Sequence, residues 1–454
     1  MHNQSMPFNS FNLNLNGNKT SIVIFSESNT NRLNYTLSFV FNRVLGINFS
    51  IIKDIDEFKS INGFKINYSH QLINQVLQII PNGLLNESEL TQIKPLPFYK
   101  NNLIYFYEDK KGILGFDLFS AVFYLISRYE EWQNFEPDEH YRFESSSSIL
   151  FKYDFHLKPV VDYWILELKN ALKHLYPNIE LPNKKFEIIS TIDVDNLYAF
   201  KNKNIFRIIG ASIKDVLKFD IYQFKYRLLV LLNLKKDPFD IYESISEFCY
   251  KNKIPLIYFF LFKSNTKFDR TISPKSSAFK KVFSLIKNKN AFVGLHPSYD
   301  STYQPELMAN EVEGFSINSN QKNIVSRQHY LRFDINITPK LLIKLGILVD
   351  FTMGFASVPG FRAGTSNPFF YYDFVEEKEK HLLFVPFCAM DGAYSVYQNK
   401  SADEALSSMK KLALEVKNAG GYFITVFHER SFYNHLYNKF GDLYKKLHLI
   451  LKEI

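Results

Sequence analysis

Cysteine is nearly absent from this sequence: the two residues, Cys249 and Cys388, stand far apart in apolar surroundings. That excludes a disulfide framework and a thiolate zinc site, and both thiols read as core residues. No stretch has enough uninterrupted apolar length to span a bilayer. The polar, Asn-rich start MHNQSMPFNSFNLNLNG lacks a basic segment followed by an apolar one, so we expect a cytoplasmic protein with no integral membrane segment. No helix shows a concentrated Lys/Arg stripe with aromatic interleaving, which removes nucleic acid from the expected partners. What the chain does have is size and aromatic bulk. Its 454 residues exceed one typical core, and 45 Phe with 28 Tyr make disorder untenable. The formal charge of +8 favours anionic partners such as acidic glycans, nucleotide-linked sugars or an anionic membrane surface, although Lys and Arg read as scattered over solvated faces.

Two regions are expected, 1–183 and 184–454, separated by Pro182-Asn183-Lys184-Lys185, turn and charged residues that follow a helix predicted over Val160–Leu175. Within the first, DLFSAVFYLISRYEEW places Phe119, Val122, Phe123, Ile126 and Tyr129 at helical spacing, with Glu130 and Glu131 read as a solvated helix end. Beyond the linker, short apolar runs each precede a longer amphipathic segment, the pattern of strand–helix units around a parallel sheet. The predicted strands are Phe186–Thr191, Ile254–Phe262, Ala291–Leu295, Ile324–Ser326, Leu348–Met353, Leu382–Phe387 and Tyr422–Phe427. The clearest helix opens with the capping box Ser401-Ala402-Asp403-Glu404 and closes at Gly420-Gly421. The fold class is α/β. Without a Gly-rich phosphate loop after the first strand, a distorted, incompletely closed (β/α)7 barrel is preferred over a doubly wound sheet, with a smaller α/β region before it.

In such folds catalytic groups project from the C-terminal ends of the strands. Asp193 and Asp195 follow the first strand in TIDVDN, His296 the third in GLHPSYDS, Arg327 and His329 the fourth in SRQHYL, and His428 the last in VFHER. An Asp after a strand often caps the next helix, and a lone His is more often structural than a ligand. Recurrence at one end of the sheet reverses that preference, because Asp and His together are what a hydrolytic metal site requires. His381, His435 and His448 lack the placement and read as structural. Arg362, between Gly360 and Gly364, suits a guanidinium that holds a carboxylate ionised. Asp391, in PFCAMDG, suits a partner that orients a histidine.

The ordered set TIDVDN, GLHPSYDS, GFRAGT and VFHER resembles the polysaccharide deacetylase family, the NodB-like carbohydrate esterases, in a two-domain version found in Bacteroidetes-type bacteria. SRYEEW and FEPDEHYRF in the first region look like the same subgroup. The resemblance implies metal-dependent hydrolysis of an N-acetylated carbohydrate. It assigns Asp193 as general base, Asp195 and His296 as ligands of a divalent metal, zinc by preference, Arg362 as tether of the base, and His428 as general acid. Ser298, Tyr299, Arg327, Gly364 and Thr365 would contact substrate. The family's second histidine, four residues after the first, is Asp300 here, so either Asp300 or His329 supplies the third ligand, imidazole being the better donor. The tryptophan-containing motif is missing, Trp132 and Trp164 both lying elsewhere, and Asp391 stands in for its acidic residue. O-deacetylation or deformylation, and a glycan-binding or scaffold protein without turnover, are the competing readings; protein partners stay unassigned.

Overall fold

A computed structural model describes residues 20–263, 266–437 and 439–454. Near the N-terminus a parallel four-stranded sheet of order β2-β1-β3-β4 is built from β1 (Ser21–Phe25), β2 (Asn48–Ile52), β3 (Phe64–Tyr68) and β4 (Leu77–Ile79). An antiparallel hairpin of β5 (Pro97–Lys100) and β6 (Leu103–Phe106) follows. The helix Leu118–Ile126 is buried on every side, which its nearly unbroken apolar sequence LFSAVFYLI permits.

The large sheet has nine strands: β7 (Glu187–Val194), β8 (Leu256–Leu261), β9 (Phe292–His296), β10 (Val325–Ser326), β11 (Val349–Asp350), β12 (Phe369–Asp373), β13 (Lys378–Phe384), β14 (Ala389–Met390) and β15 (Tyr422–His428). Their order is β12-β13-β11-β10-β9-β8-β7-β15-β14, and only β12 runs antiparallel to its neighbour. From β7 to β11 neighbours follow chain order, as in a singly wound, curled half-barrel, after which β13 precedes β12, and the sheet stays open between its edge strands β12 and β14. All seven predicted strands are present; β12 and the two-residue β14 are additional.

Alternation along the strands sorts side chains between two apolar clusters. On β7, Ile189, Thr191 and Asp193 share one face; on β15, Ile424, Val426 and His428 share the matching face, and Asp193 is paired in register with His428. Ile189, Ile424 and Val426 join Ile257, Phe259, Val325 and Phe351 in a dry floor below these polar rim residues. The opposite face packs on helices, among them Ala402–Ala419, whose capping box forms as expected through Ser401 and Glu404. One large cluster on that side runs continuously into the N-terminal region, with Trp164 fully buried in it.

GFRAGT lies at this seam. Gly360 has φ +130°, and an added Cβ there would fall 2.5 Å from the carbonyl oxygen of His156. Gly364, at φ +66°, packs against Leu125, Leu150 and Val160. Both glycines therefore let the barrel-side loop approach the N-terminal region rather than a ligand. Glu130 and Glu131 are not a solvated helix end: both are buried, paired to Arg128 at 3.1 and 2.8 Å.

Candidate active site

β7, β9 and β15 end at the same rim and deliver Asp193, His296 and His428 there; Asp195 and His329 come from the segments immediately after β7 and β10. These five residues line a cavity of about 150 Å³. The imidazole Nε2 atoms of His296 and His329 lie 3.6 and 3.5 Å from Asp195 Oδ1. One donor atom from each of the three residues falls within 4.8 Å of the others. Asp195 Oδ1 is buried without a hydrogen-bond partner, while its Oδ2 accepts from Arg430 at 2.8 Å. Each histidine is oriented through its other nitrogen, His296 Nδ1 by the carbonyl of Arg327 and His329 Nδ1 by Asp269 at 2.8 Å. That is how a metal-binding imidazole is fixed, with the far nitrogen tied and the near one presented.

The electrostatics fit the same purpose. Burial pushes His296 down to about 4, so it is neutral and able to donate its lone pair at ordinary pH. For Asp195, burial works against ionisation, but Arg430 and the surrounding imidazoles outweigh it and hold the carboxyl well below the usual carboxylate range. Asp269 is lowered too, against its burial, by the hydrogen bond to His329. One carboxylate and two oriented imidazoles, with an orphaned buried oxygen at their focus, form a donor set that could hold a metal cation.

Asp193 lies beside this group, its Oδ2 3.9 Å from His296 Nε2 and its Oδ1 accepting from Arg327 Nη1 at 2.7 Å. Arg327, fully buried and 4.5 Å above the Phe259 ring, takes the position expected of Arg362. Arg362 forms a bidentate pair with Glu131, at 2.8 and 2.7 Å, at the seam. The expectation that Arg362 tethers Asp193 is thereby corrected: a guanidinium reaches only what the fold brings to it, and GFRAGT is docked on the N-terminal region. On the neighbouring strand β15, His428 Nδ1 lies 2.7 Å from Asp391 Oδ1, and the Asp391 carboxylate also accepts from the His428 backbone N–H and from Ser431. Burial opposes charging of His428, but Asp391 prevails and raises it to about 9.

Four expected substrate contacts lie elsewhere. Ser298 donates to the buried Glu311, which burial raises to about 7. Tyr299 stacks on Phe268 at 4.3 Å and its hydroxyl meets His140 Nδ1 at 2.9 Å. Gly364 packs into the seam, and Thr365 donates to Asp162. Asp300 pairs with Arg332 at 3.1 Å, so His329 supplies the third candidate ligand. The cavity wall is formed instead by Tyr330, Tyr397, Arg430 and Arg142. Arg142, from FEPDEHYRF, is held by Asp138 at 2.6 Å and donates to the Tyr330 carbonyl at 2.9 Å. The N-terminal region therefore completes the mouth. Glu429, accepting from the backbone N–H groups of Asp195 and Asn196, was also unforeseen; burial and the Asp195 charge raise its pKa.

Residues 22–177 match a family of unknown function (DUF7033). No curated protein matches the chain. Among solved structures, the chain is similar to a candidate polysaccharide deacetylase from Mycobacterium smegmatis, at 11% sequence identity and a TM-score of 0.39, over 59% of this chain and 85% of that one.

Proposed function

We propose that this chain is a metal-dependent hydrolase that removes N-acetyl groups from a carbohydrate, releasing acetate, on an incompletely closed barrel of the deacetylase type. One observation carries the reading: Asp195 Oδ1 is buried without a hydrogen-bond partner and faces two imidazoles whose other nitrogens are already engaged, with Asp193 and His428 also on the cavity wall. Asp195, His296 and His329 would hold the cation, and zinc is the metal that this donor set suits best. When bound, it supplies polarisation of the acetamido carbonyl and a lowered pKa for water.

The remaining work falls to the chain. Asp193, oriented by Arg327, accepts the proton of the attacking water. His428, kept protonated by Asp391, delivers a proton to the departing amine, without which amide cleavage stalls. Arg327 thus acts on the base rather than on the sugar. Tyr330, Tyr397 and Arg142 are the wall against which the sugar rests.

A histidine motif in which Asp300 stands where the family has its second histidine would favour a binding protein without turnover. With Asp300 engaged by Arg332 and His329 at the cavity, that substitution no longer favours it. The test is acetate release from a panel of N-acetylated sugars by metal-loaded protein, with and without chelator, for the wild type and Asp193→Asn. Chelator-sensitive release that Asp193→Asn abolishes is expected. Sugar binding with no release from any substrate would overturn the proposal, and release from O-acetyl or formyl substrates alone would redirect it.

A further inference from the structure

Between β7 and β8 the chain inserts a helical hairpin, Ile205–Leu217 and Ile221–Leu231, in which apolar side chains face outward. A helical wheel puts Ile205, Phe206, Ile209, Ile213, Val216 and Leu217 within about one third of the first helix's circumference. A surface helix of a globular protein turns such a stripe to the core. Here no residue of the helix is buried, and Phe206 and Leu217 are 79% and 74% exposed. Phe219, in the turn between the helices, is 87% exposed, and Leu232 and Leu234 extend the apolar surface past the second helix. An apolar groove of about 420 Å³ opens between the two helices.

Charge identifies the occupant. Residues 201–236 hold nine Lys or Arg against two Asp, so this one insertion carries almost the whole excess of the +8 chain. Both acids are engaged, Asp215 with Arg227 at 2.6 Å and Asp220 with His435 at 3.2 Å, whereas Lys214, Lys218 and Lys225 are exposed. The basic residues are therefore concentrated beside the apolar face rather than scattered, as they appear in the linear sequence. A basic flank beside a Phe/Leu/Ile face is the pattern of a helix that lies in a lipid interface. Thirteen residues are too few to span a bilayer, for which about 20 are needed, so the contact is peripheral.

We propose that this hairpin docks the protein on an anionic lipid bilayer, with the apolar face in the acyl boundary and the lysines among the headgroups. The hairpin is fixed to the site: Asp237 accepts from the backbone N–H groups of Ala199, Phe200 and Lys201, and Lys203 donates to Asn196, the residue after Asp195. Docking would thus bring the cavity rim close to the membrane surface. The inference does not depend on the proposed hydrolysis, since its readout is binding alone.

The test is co-sedimentation of the full chain with phosphatidylcholine vesicles, with and without added phosphatidylglycerol. Binding that needs the anionic lipid and falls at least about tenfold in high salt is expected. The exposed substitutions Phe206→Glu, Leu217→Glu and Phe219→Glu together should abolish it, and Lys214→Glu with Lys218→Glu should weaken it about tenfold. Circular dichroism and light scattering on the same variants report folding and oligomeric state. No sedimentation with either vesicle overturns the proposal. So does a wild-type dimer that the Glu variants dissolve, which would name a second copy as the occupant, and so does vesicle binding that the variants leave intact.

Discussion

Two buried arginines of this chain each grip a carboxylate, and their surroundings give them different work. Arg362 and Glu131 form a saturated bidentate pair at the seam, where both Glu131 oxygens are used and Arg128 adds a further bond. Arg327 takes Asp193 Oδ1, and the Asp193 side chain also lines the cavity. The chemistry of the two pairs is alike; whether a carboxylate still faces open space decides whether the pair is structural or functional.

The comparison can be broken most severely at Asp195. Asp195→Ala removes the orphaned oxygen, and we expect loss of divalent-cation binding by calorimetry together with loss of activity; a variant that binds the cation as tightly as wild type would separate the three-residue cluster from metal binding. Next come the arginines themselves. Arg327→Met breaks the buried pair with Asp193 and should cost about 3–5 kcal/mol in denaturant unfolding, and Arg362→Met should cost less, because Arg128 still holds Glu131. Only Arg327→Met should also lower kcat of the remaining folded protein, by about a hundredfold, as expected for a disturbed general base. Equal kcat in the two variants would erase the distinction.

A smaller effect sharpens the other flank of the cavity. His428 is raised from 6.5 to about 9, so the acid form needed for proton delivery prevails below that value and activity should fall as pH climbs through about 9. The stability that the His428–Asp391 pair contributes through His428 follows the same sign: it is fully present below about 6.5 and disappears as pH rises through about 9. Asp391→Asn removes the raising charge and leaves burial, so the basic limb of the kcat profile should move down by two pH units or so. A limb that stays near 9 would assign it to another group. The smallest expected change is at the mouth: Arg142→Gln should raise KM a few-fold with kcat nearly intact, since Arg142 meets the cavity only as wall.

Much of the large sheet was legible because strands covered on both faces read as continuous apolar runs, and because residues just past such runs must stand at one rim. Asp193, Asp195, His296, His329 and His428 were found that way, and the structure brings them together. β12 escaped notice because its pairing with β13 is a local antiparallel excursion, and β14 because two residues carry no period. Asp269 could not be found from its place in KFDR, which lies well past the end of β8; its role at His329 comes from a contact across 60 residues. Glu131 looked like a helix end because its partner Arg362 lies 231 residues away.

By itself the sequence determined seven strands of the large sheet and the end of that sheet to which the acids and imidazoles belong, since these follow from local period and neighbouring side chains. Tertiary structure alone decided which arginine holds Asp193, that GFRAGT joins two regions instead of meeting a ligand, and that the apolar stripe of Ile205–Leu217 has no core to enter. The physical reason is the same in each case: a side chain's charge and size are written locally, whereas its partner is whatever distant segment the closed core sets within hydrogen-bond or contact distance.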